Sequence, residues 1–270
     1  MDAATLDGKL AALHGSLSDL GRIVVAFSGG ADSAFLAAVA HGALGAANVH
    51  AVTAVSPSLA GAERYDCALL AAEWGLRWSA VETDEMARAA YRINDVDRCY
   101  HCKAELMDVL LPIATAEGAQ LVLGVNLDDI EPEVADHRPG QRAAAEAGAS
   151  FPLVTAGFAK ADVREASRHL GLRTWDKPAA ACLASRVPYG TEVNVAVLSR
   201  VERAEAALRA LGFAQVRVRH YGDTARVELE LTELPRAIEQ RERIVNGVRG
   251  AGYRYVTLDL EGFRSGNLNS

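Results

Sequence analysis

The sequence predicts an α/β protein with a doubly wound parallel sheet, followed by a smaller C-terminal α+β domain. Predicted strands and helices alternate through residues 1–190 at the spacing typical of parallel sheets. The first strand runs into a Ser-Gly-Gly turn and then a helix, which is typical of a nucleotide-binding sheet edge. After residue 190 the order becomes helix, strand, strand, helix, strand, at residues 196–211, 214–220, 225–231, 234–248 and 253–260. We therefore place a domain boundary near Gly190, between residues 1–190 and 191–270.

Apolar periodicity places the elements of the first domain in order. Leucines at helical spacing predict an amphipathic leading helix within residues 1–20. Short apolar runs, partly β-branched, predict four strands, at residues 23–27, 49–55, 78–82 and 120–125. Segments rich in alanine and leucine predict helices, at residues 33–40, 59–75, 97–117 and 160–170. Because parallel sheets bind ligands at the carboxyl ends of their strands, we expect the functional site at that edge.

The turn after the first strand predicts a phosphate-binding site. It consists of Ser28, Gly29, Gly30, Ala31, Asp32 and Ser33. Glycine has no Cβ to keep an anion away, the N–H groups of a first helical turn attract negative charge, and the two serine hydroxyls add donors. The turn lacks the Lys-Ser/Thr ending of a Walker loop and the three-glycine spacing of a dinucleotide-binding motif. An alternative is a purely structural turn, with Asp32 as an ordinary first-turn acid.

Polar residues also follow the fourth predicted strand. Asn126, Asp128 and Asp129 emerge at the same edge of the sheet as the Ser28 turn. They are suited to contact a nucleotide or Mg²⁺, and the same residue types are common in turns for purely local reasons. Both interpretations stay open at this point.

Composition and charge exclude some classes of function. The chain has 28 basic and 35 acidic residues, a net charge of −7, whereas binding a long nucleic acid requires a basic face. No apolar run reaches transmembrane length, and the first residues lack the hydrophobic block of a signal peptide. We therefore expect a cytoplasmic protein without a membrane or nucleic acid partner.

Three of the four cysteines lie in predicted helices. Cys67 lies on an apolar helix, where a small buried thiol is common, so we predict that it is part of the core. Cys99 and Cys102 are separated by three positions and share one helix face, which suits a metal, a cluster or a redox pair. A second cysteine pair for a zinc site is absent. Lys103 could lower the pKa of these thiols or contact an anion, or be an exposed helix lysine.

The fourth cysteine, Cys182, lies in a loop bounded by prolines. Ser185 and Arg186 follow within four residues, so the loop carries a thiol, a hydroxyl and a guanidinium. A cysteine near a cationic group in a loop favours reactivity, and simple burial is the alternative.

The second domain is rich in arginine. Residues 189–270 contain 12 arginines, no lysine and 11 acidic residues. Arg217, Arg219 and Arg226 alternate with valines in two predicted strands and so share one face of each strand. Arginine suits bidentate recognition of phosphate or carboxylate, although a charged surface explains many of these residues equally well.

Several motifs extend over almost the whole chain in one order. They are SGGADS, RCYHCK, GVNLDD, ADHRPG, KADVRE, KPAAACLASRVPYG, RVRHYGDTARVE and GFRSG. Taken together they resemble the PP-loop sulfurtransferases of the LarE family, within the ATP pyrophosphatases, and the Cys182 loop is the most specific match. That family acts on pyridinium-3,5-biscarboxylic acid mononucleotide, a precursor of the nickel-pincer nucleotide used by lactate racemase.

The resemblance implies an adenylating reaction. A substrate carboxylate would attack the α-phosphate of ATP with Mg²⁺ assistance, giving an acyl-adenylate and pyrophosphate, and sulfur would then displace AMP. In one version of the family the residue matching Cys182 is sacrificed, leaving dehydroalanine. In another, which this chain resembles more, Cys99, Cys102 and Cys182 would hold a [4Fe–4S] cluster whose open iron binds the sulfide nucleophile. We favour the cluster.

The resemblance also implies residue roles and partners. Lys103, Ser185 and Arg186 would lie at the active site, while Arg217 and Arg219, with Glu205 nearby, would bind the substrate phosphate. The C-terminal domain would then serve substrate-phosphate binding and assembly into a homo-oligomer, a trimer or a hexamer. The partner is a small nucleotide substrate.

Two alternatives from other classes stay open. Some PP-loop tRNA thiolases also combine a CxxC pair, a third cysteine and a cluster, but the acidic first domain offers no basic RNA-binding surface. A non-catalytic ATP-binding module would hold ATP without forming AMP and pyrophosphate.

Overall fold

The computed structural model describes residues 5–130, 139–179 and 181–264. Parts of three motifs fall outside these ranges, namely residues 135–138 of ADHRPG, residue 180 of KPAAACLASRVPYG and residues 265–266 of GFRSG. None of the described helices is long and apolar enough to cross a membrane.

Contacts divide the chain into two compact units. Unit 1 comprises Met1–Ser56, Gly61–Glu85 and Cys99–Ala180. Unit 2 comprises Pro57–Ala60, Met86–Arg98 and Ala181–Ser270. Residues 181–190 and two short earlier segments therefore belong to unit 2, and the functional roles of the two predicted domains stay predictions.

The helices and strands follow the predicted order. The described helices are α1 (Leu6–Leu20), α2 (Ala31–Leu44), α3 (Gly61–Glu73), α4 (Ala89–Ile93), α5 (Arg98–Ala116), α6 (Pro139–Glu146), α7 (Pro152–Thr155), α8 (Lys160–His169), α9 (Val195–Ala210), α10 (Leu234–Glu239) and α11 (Arg241–Gly250). The described strands are β1 (Ile23–Ala26), β2 (Val49–Val55), β3 (Arg77–Glu82), β4 (Gln120–Leu123), β5 (Val216–Tyr221), β6 (Thr224–Leu229) and β7 (Tyr255–Leu258).

Unit 1 contains a parallel sheet with strand order β3-β2-β1-β4. Ile23 and Val25 of β1 pack into one apolar cluster and Val24 packs into another, so both faces of the sheet are covered. This burial on both faces explains why the strands are continuous apolar runs rather than alternating ones. The chain leaves β1 toward β2 on one side and later returns to β4 on the other. That arrangement places a topological switch point between β1 and β4, where such sheets bind ligands.

Unit 2 contains a smaller sheet of order β5-β6-β7, with β5 and β6 antiparallel and β6 and β7 parallel. Val218 lies opposite Val227, while Arg219 lies opposite Arg226. The valines belong to the core that the helices cover, so the prediction that the arginines share the other face is confirmed. The α/β fold with a parallel sheet and the separate smaller domain are confirmed as well.

Candidate active site

The Ser28 turn forms a closed loop at the end of β1. The N–H of Ser28 donates to Ser33 Oγ at 3.2 Å, and the two serine hydroxyls share a hydrogen bond of 3.0 Å. Gly30 is the N-cap of α2 and has an extended backbone, with φ −76° and ψ 164°. The N–H groups of the first turn of α2 therefore begin directly after the loop, where a helix attracts anions.

Two glycines allow the backbone to close tightly around this loop. Gly29 has φ +66°, and a Cβ at this position would lie 2.8 Å from Cys67 Sγ. A Cβ at Gly124, just after β4, would lie 2.7 Å from the Ser33 nitrogen. The end of β4 thus touches the first turn of α2. Cys67 is fully buried beneath the loop, as predicted, and burial raises the pKa of its thiol.

Asp32 is held by two residues that follow β4 in the chain. Asn126 Nδ2 donates to Asp32 Oδ1 at 3.2 Å, and Lys160 Nζ lies 2.5 Å from Asp32 Oδ2. Our sequence analysis gave Lys160 no role of its own. A lysine in the first turn of a helix is unfavourable to the helix dipole, and this signal could have indicated a nearby anionic partner.

The other residues after β4 have clear structural roles. Asn126 Oδ1 accepts from the Asp128 N–H, and Asp129 Oδ2 accepts from the Asn126 N–H, which together close a short 3₁₀ turn. Asp128 Oδ2 accepts from the Lys160 N–H at the start of α8. Turn chemistry therefore accounts for Asp128 and Asp129, and their contact with a nucleotide or metal stays a prediction.

A second lysine without a predicted role contacts the loop itself. Lys177 Nζ donates to the Gly29 carbonyl at 3.1 Å and forms ion pairs with Glu63 and Asp66 of α3. Arg173 binds Asp66 and Glu73 on the same helix. Lys177 therefore links the loop to α3.

The CxxC pair lies in the first turns of α5. Cys99 is exposed and Cys102 is partly buried. Lys103 is also partly buried: burial lowers the pKa of its ammonium, and the nearby Cys102 and Cys99 oppose this effect. Lys103 is thus not a fully exposed helix lysine. Gly140 of α6 packs against this turn, since a Cβ there would lie 3.2 Å from the Cys99 carbonyl oxygen.

The Cys182 loop is organised by Arg186. One nitrogen of its guanidinium, Nη1, donates to the carbonyls of Ala181 and Cys182 at 2.6 and 3.0 Å and lies 3.0 Å from Ser185 Oγ. Its Nε donates to Glu205 at 2.8 Å. The Cys182 side chain itself is exposed. Of the two interpretations of Cys182, the structure excludes simple burial.

Two buried glutamates connect this loop to the arginine face of the small sheet. Glu205 is fully buried and also accepts from Arg209 at 2.8 Å and from the Val218 N–H at 3.1 Å. Glu228, equally buried, forms a bidentate pair with Arg219, whose remaining Nη1 donates to the Ser185 carbonyl at 2.7 Å. Arg219 thus supports the Cys182 loop.

Arg217 lies beside this network. It is only 8% exposed, and its guanidinium lies 5.0 Å from the centre of the Phe263 ring. Burial lowers its pKa to about 10, and the charges of Arg186 and Arg219 act in the same direction, against Glu205. An anion beside Arg217 would relieve this unfavourable accumulation of positive charge.

Two residues that our sequence analysis did not select also fix the Cys182 loop. Asn94 is fully buried with φ +61°, and its Nδ2 contacts the carbonyl oxygens of Pro188 and Thr191 at 2.8 and 2.9 Å. Arg98, directly before Cys99, donates to the Ala184 carbonyl at 3.0 Å. Asn94 belongs to none of the motifs and Arg98 has no predicted role in the RCYHCK motif that it opens, so only the fold reveals these bonds.

In the ranges that the structure describes, no group of three or more His, Cys, Asp or Glu side chains is close enough to hold a metal ion. The predicted ligands are divided between the units, since Cys99 and Cys102 belong to unit 1 and Cys182 to unit 2.

Comparisons with known proteins are consistent with these features. The family model of NAD synthase matches residues 14–107, which include the Ser28 loop. An uncharacterized protein of Synechocystis sp. is 46% identical over 98% of both chains. The pyridinium-3,5-bisthiocarboxylic acid mononucleotide synthase of Lactiplantibacillus plantarum is 40% identical over 98% of this chain and 95% of that protein. An uncharacterized protein of Methanocaldococcus jannaschii is 26% identical over 90% of this chain and 91% of that protein.

The parallel sheet and the SGGADS loop at its carboxyl edge define a PP-loop protein. The near full-length similarity narrows this class further. The chain belongs to the LarE-type family of the Lactiplantibacillus plantarum synthase, as the sequence motifs predicted.

Proposed function

We propose that this chain is an ATP-dependent sulfurtransferase of nickel-pincer nucleotide synthesis. It adenylates a carboxylate of pyridinium-3,5-biscarboxylic acid mononucleotide and converts it to a thiocarboxylate. The single observation that carries the proposal is the preformed Ser28 loop with Asp32 fixed by Asn126 and Lys160. The synthase name of the relative that is 40% identical supports the choice of substrate.

ATP and Mg²⁺ fit the residues at this loop. Magnesium is commonly bound by one or two carboxylates together with substrate phosphates, and Asp32 supplies a carboxylate at the N-terminus of α2. When bound, Mg²⁺ would neutralise charge on the triphosphate. The loop N–H groups bind the departing pyrophosphate, and Lys160 adds a positive charge next to Asp32.

The reaction has two balanced steps. A substrate carboxylate oxygen attacks the α-phosphorus, the bond to the β-phosphate oxygen breaks, and pyrophosphate leaves. A sulfur nucleophile then attacks the acyl carbon, the bond to the AMP oxygen breaks, and AMP leaves.

In this proposal the exposed thiol of Cys182 takes a direct part in delivering the sulfur. Three thiolates suit a [4Fe–4S] cluster, and the partly buried Lys103 ammonium beside Cys99 and Cys102 would stabilise their thiolate forms. When bound, such a cluster would supply the sulfide. In the alternative, Cys182 gives up its own sulfur and becomes dehydroalanine. We favour the cluster, which requires Cys182 of unit 2 as its third ligand.

The substrate phosphate is assigned to Arg217 and Arg219. The burial of Arg217 and its lowered pKa support an anion site. Because Arg219 already forms a bidentate pair with Glu228, it makes only a supporting contact with the phosphate. We also propose a cytoplasmic homo-oligomer, a trimer or a hexamer, on the family resemblance alone.

Product analysis tests the proposal. With ATP, Mg²⁺ and the biscarboxylate mononucleotide, the protein should form AMP and pyrophosphate, and ATP should survive when the mononucleotide is omitted. Tight, salt-sensitive binding of tRNA would instead favour a tRNA thiolase, and ATP surviving with the substrate present would favour a non-catalytic module.

Anaerobic preparation separates the two sulfur routes. Reconstitution with iron and sulfide should give a brown protein whose iron content falls in Cys99→Ala. The sacrificial route predicts instead that intact mass falls by one H₂S at Cys182 after turnover. Thiocarboxylate formation by Cys182→Ala would contradict both routes.

A further inference from the structure

The ammonium of Lys177 is surrounded by three acceptors. It donates to the Gly29 carbonyl at 3.1 Å, to Glu63 at 2.9 Å and to Asp66 at 2.7 Å. An ammonium has three N–H donors, so this contact set uses all of them. The side chain is only 17% exposed. The position of the Lys177 ammonium is therefore fixed by α3 on one side and by the loop on the other.

The bond to Gly29 determines the direction of the next N–H group. No described peptide bond is cis, so the carbonyl of Gly29 and the N–H of Gly30 point in opposite directions. While Lys177 holds the carbonyl on its own side, the Gly30 N–H is directed away from Lys177. Gly30 is the N-cap of α2, whose first-turn N–H groups form the anion site.

The orientation of the Gly29–Gly30 peptide depends on a hydrogen bond from a residue outside the loop. Glycine adopts positive and negative φ about equally readily, so the sequence alone does not fix the orientation of this peptide. Cys67 Sγ packs against Gly29 from below and leaves no space for a Cβ, but an apolar contact does not select a peptide orientation. Burial disfavours the charge on Lys177, yet the hydrogen bonds that it donates to Asp66 and Glu63 outweigh this effect and raise its pKa, so the ammonium stays charged.

We propose that Lys177 is a positioning residue that orients the Gly29–Gly30 peptide so that the Gly30 N–H binds the pyrophosphate part of ATP. This inference rests on the proposed function only in that ATP is the ligand of the Ser28 loop. Lys177 itself contacts no substrate, and it acts through the loop backbone.

Titration of the full chain with Mg²⁺ and inorganic pyrophosphate, ATP or adenosine tests the proposal. Lys177→Met should weaken pyrophosphate and ATP binding by roughly 10- to 100-fold, the value of one charge-assisted hydrogen bond, and leave adenosine binding unchanged. Arg173→Met is the matched control, because Arg173 pairs with Asp66, which Lys177 also binds, and with Glu73 of the same helix, without contacting Gly29. It should keep the pyrophosphate affinity. Unchanged pyrophosphate affinity in Lys177→Met would overturn the inference. A wild-type protein that binds neither pyrophosphate nor ATP would instead overturn the proposed function.

A double variant separates peptide orientation from net charge. Lys177→Met combined with Glu63→Gln restores the net charge of the cluster but not the bond to Gly29. The double variant should stay as weak as Lys177→Met, and recovery of pyrophosphate affinity would show that Lys177 acts by charge alone. If Lys177→Met does not fold, Gly30→Pro tests the same donor, because φ −76° suits proline and the N–H is lost. Folded Gly30→Pro with unchanged affinity would overturn the inference.

Discussion

At the scale of single residues, the chemistry of the Ser28 loop depends on side chains whose opposite charges neutralise each other. Asp32 lies between Asn126 and Lys160, and these three side chains come from three separate parts of the chain. A nucleotide with Mg²⁺ would enter a site whose charges are already in position, which lowers the cost of ordering them. The mutual contacts therefore preorganise the site.

Asp32→Asn tests this arrangement. It removes the carboxylate that we assign to Mg²⁺ and leaves Lys160 without its carboxylate partner, so AMP formation should fall by roughly 100-fold or more. The melting temperature should change little, because the pair is partly exposed. Asp7→Asn, an acid in the first turn of α1, is the control and should keep full activity. An Asp32→Asn enzyme with wild-type AMP formation would contradict the assigned role.

Some of these residues could be predicted from sequence and others could not. Ser28, Gly29 and Cys182 belong to motifs whose spacing implies chemistry. Lys160 and Lys177 act through contacts with residues more than a hundred positions away, at Asp32 and Gly29. Local patterns do not identify such distant partners, so these two contacts appear only in the folded chain.

At the scale of elements, the approach of β4 to α2 determines the shape of the loop. We predict that Gly124→Ala pushes these elements apart, because its Cβ would lie 2.7 Å from backbone nitrogen of Ser33. ATP affinity should fall at least about tenfold. Gly42→Ala, in the same helix α2 with open space around it, should stabilise the protein slightly and keep the affinity. Equal ATP affinity in both variants, measured by titration, would contradict this role of the contact.

The bonds of Asn94 should stabilise unit 2. Asn94→Ala leaves the carbonyls of Pro188 and Thr191 without this donor and forces alanine to φ +61°, so urea unfolding should show a loss of about 2–4 kcal/mol. Asn94→Gly relieves the backbone strain of the alanine variant but does not restore the side-chain hydrogen bonds. It should recover only part of the stability, and full recovery would show that the side-chain bonds contribute nothing.

The elements themselves were largely predictable, since buried parallel strands and amphipathic helices have clear periodicities. One predicted helix, residues 234–248, is instead two helices that meet at Gln240, whose ψ of 13° is not helical. The inclusion of residues 57–60 and 86–98 in unit 2 was not predictable, because it depends on long-range bonds such as Leu183 N–H to the Ser58 carbonyl.

At the scale of the whole molecule, stability should depend on pH through ion pairs of partly buried carboxylates. Burial alone would raise the pKa of Glu117, but hydrogen bonds from Arg77 and His50 lower it, and the pKa values of Asp66 and Asp162 are lowered as well. A carboxylate with a lowered folded pKa stabilises the protein above its unfolded pKa of about 4 and loses this contribution as pH falls further. Burial lowers the pKa of His220, which costs stability below its unfolded pKa of about 6.5. The urea midpoint should therefore fall slightly below about pH 6.5 and more steeply below about 4.

Glu117→Gln tests this explanation of the pH dependence, because it removes one of the three carboxylates and lies far from the Ser28 loop. Its stability at pH 7 should be lower than that of the wild type, and its further loss on acidification should be smaller. Equal acid-induced losses in both proteins would exclude Glu117 as a contributor.

The central claim is that a substrate carboxylate attacks ATP at the Ser28 loop. Substrate labelled with ¹⁸O in its carboxylates, followed by mass spectrometry of the released AMP, tests this step most directly. We predict AMP carrying one labelled oxygen, because the carboxylate oxygen that attacks phosphorus stays with AMP when sulfur displaces it. Unlabelled AMP formed together with the thiocarboxylate product would contradict the account.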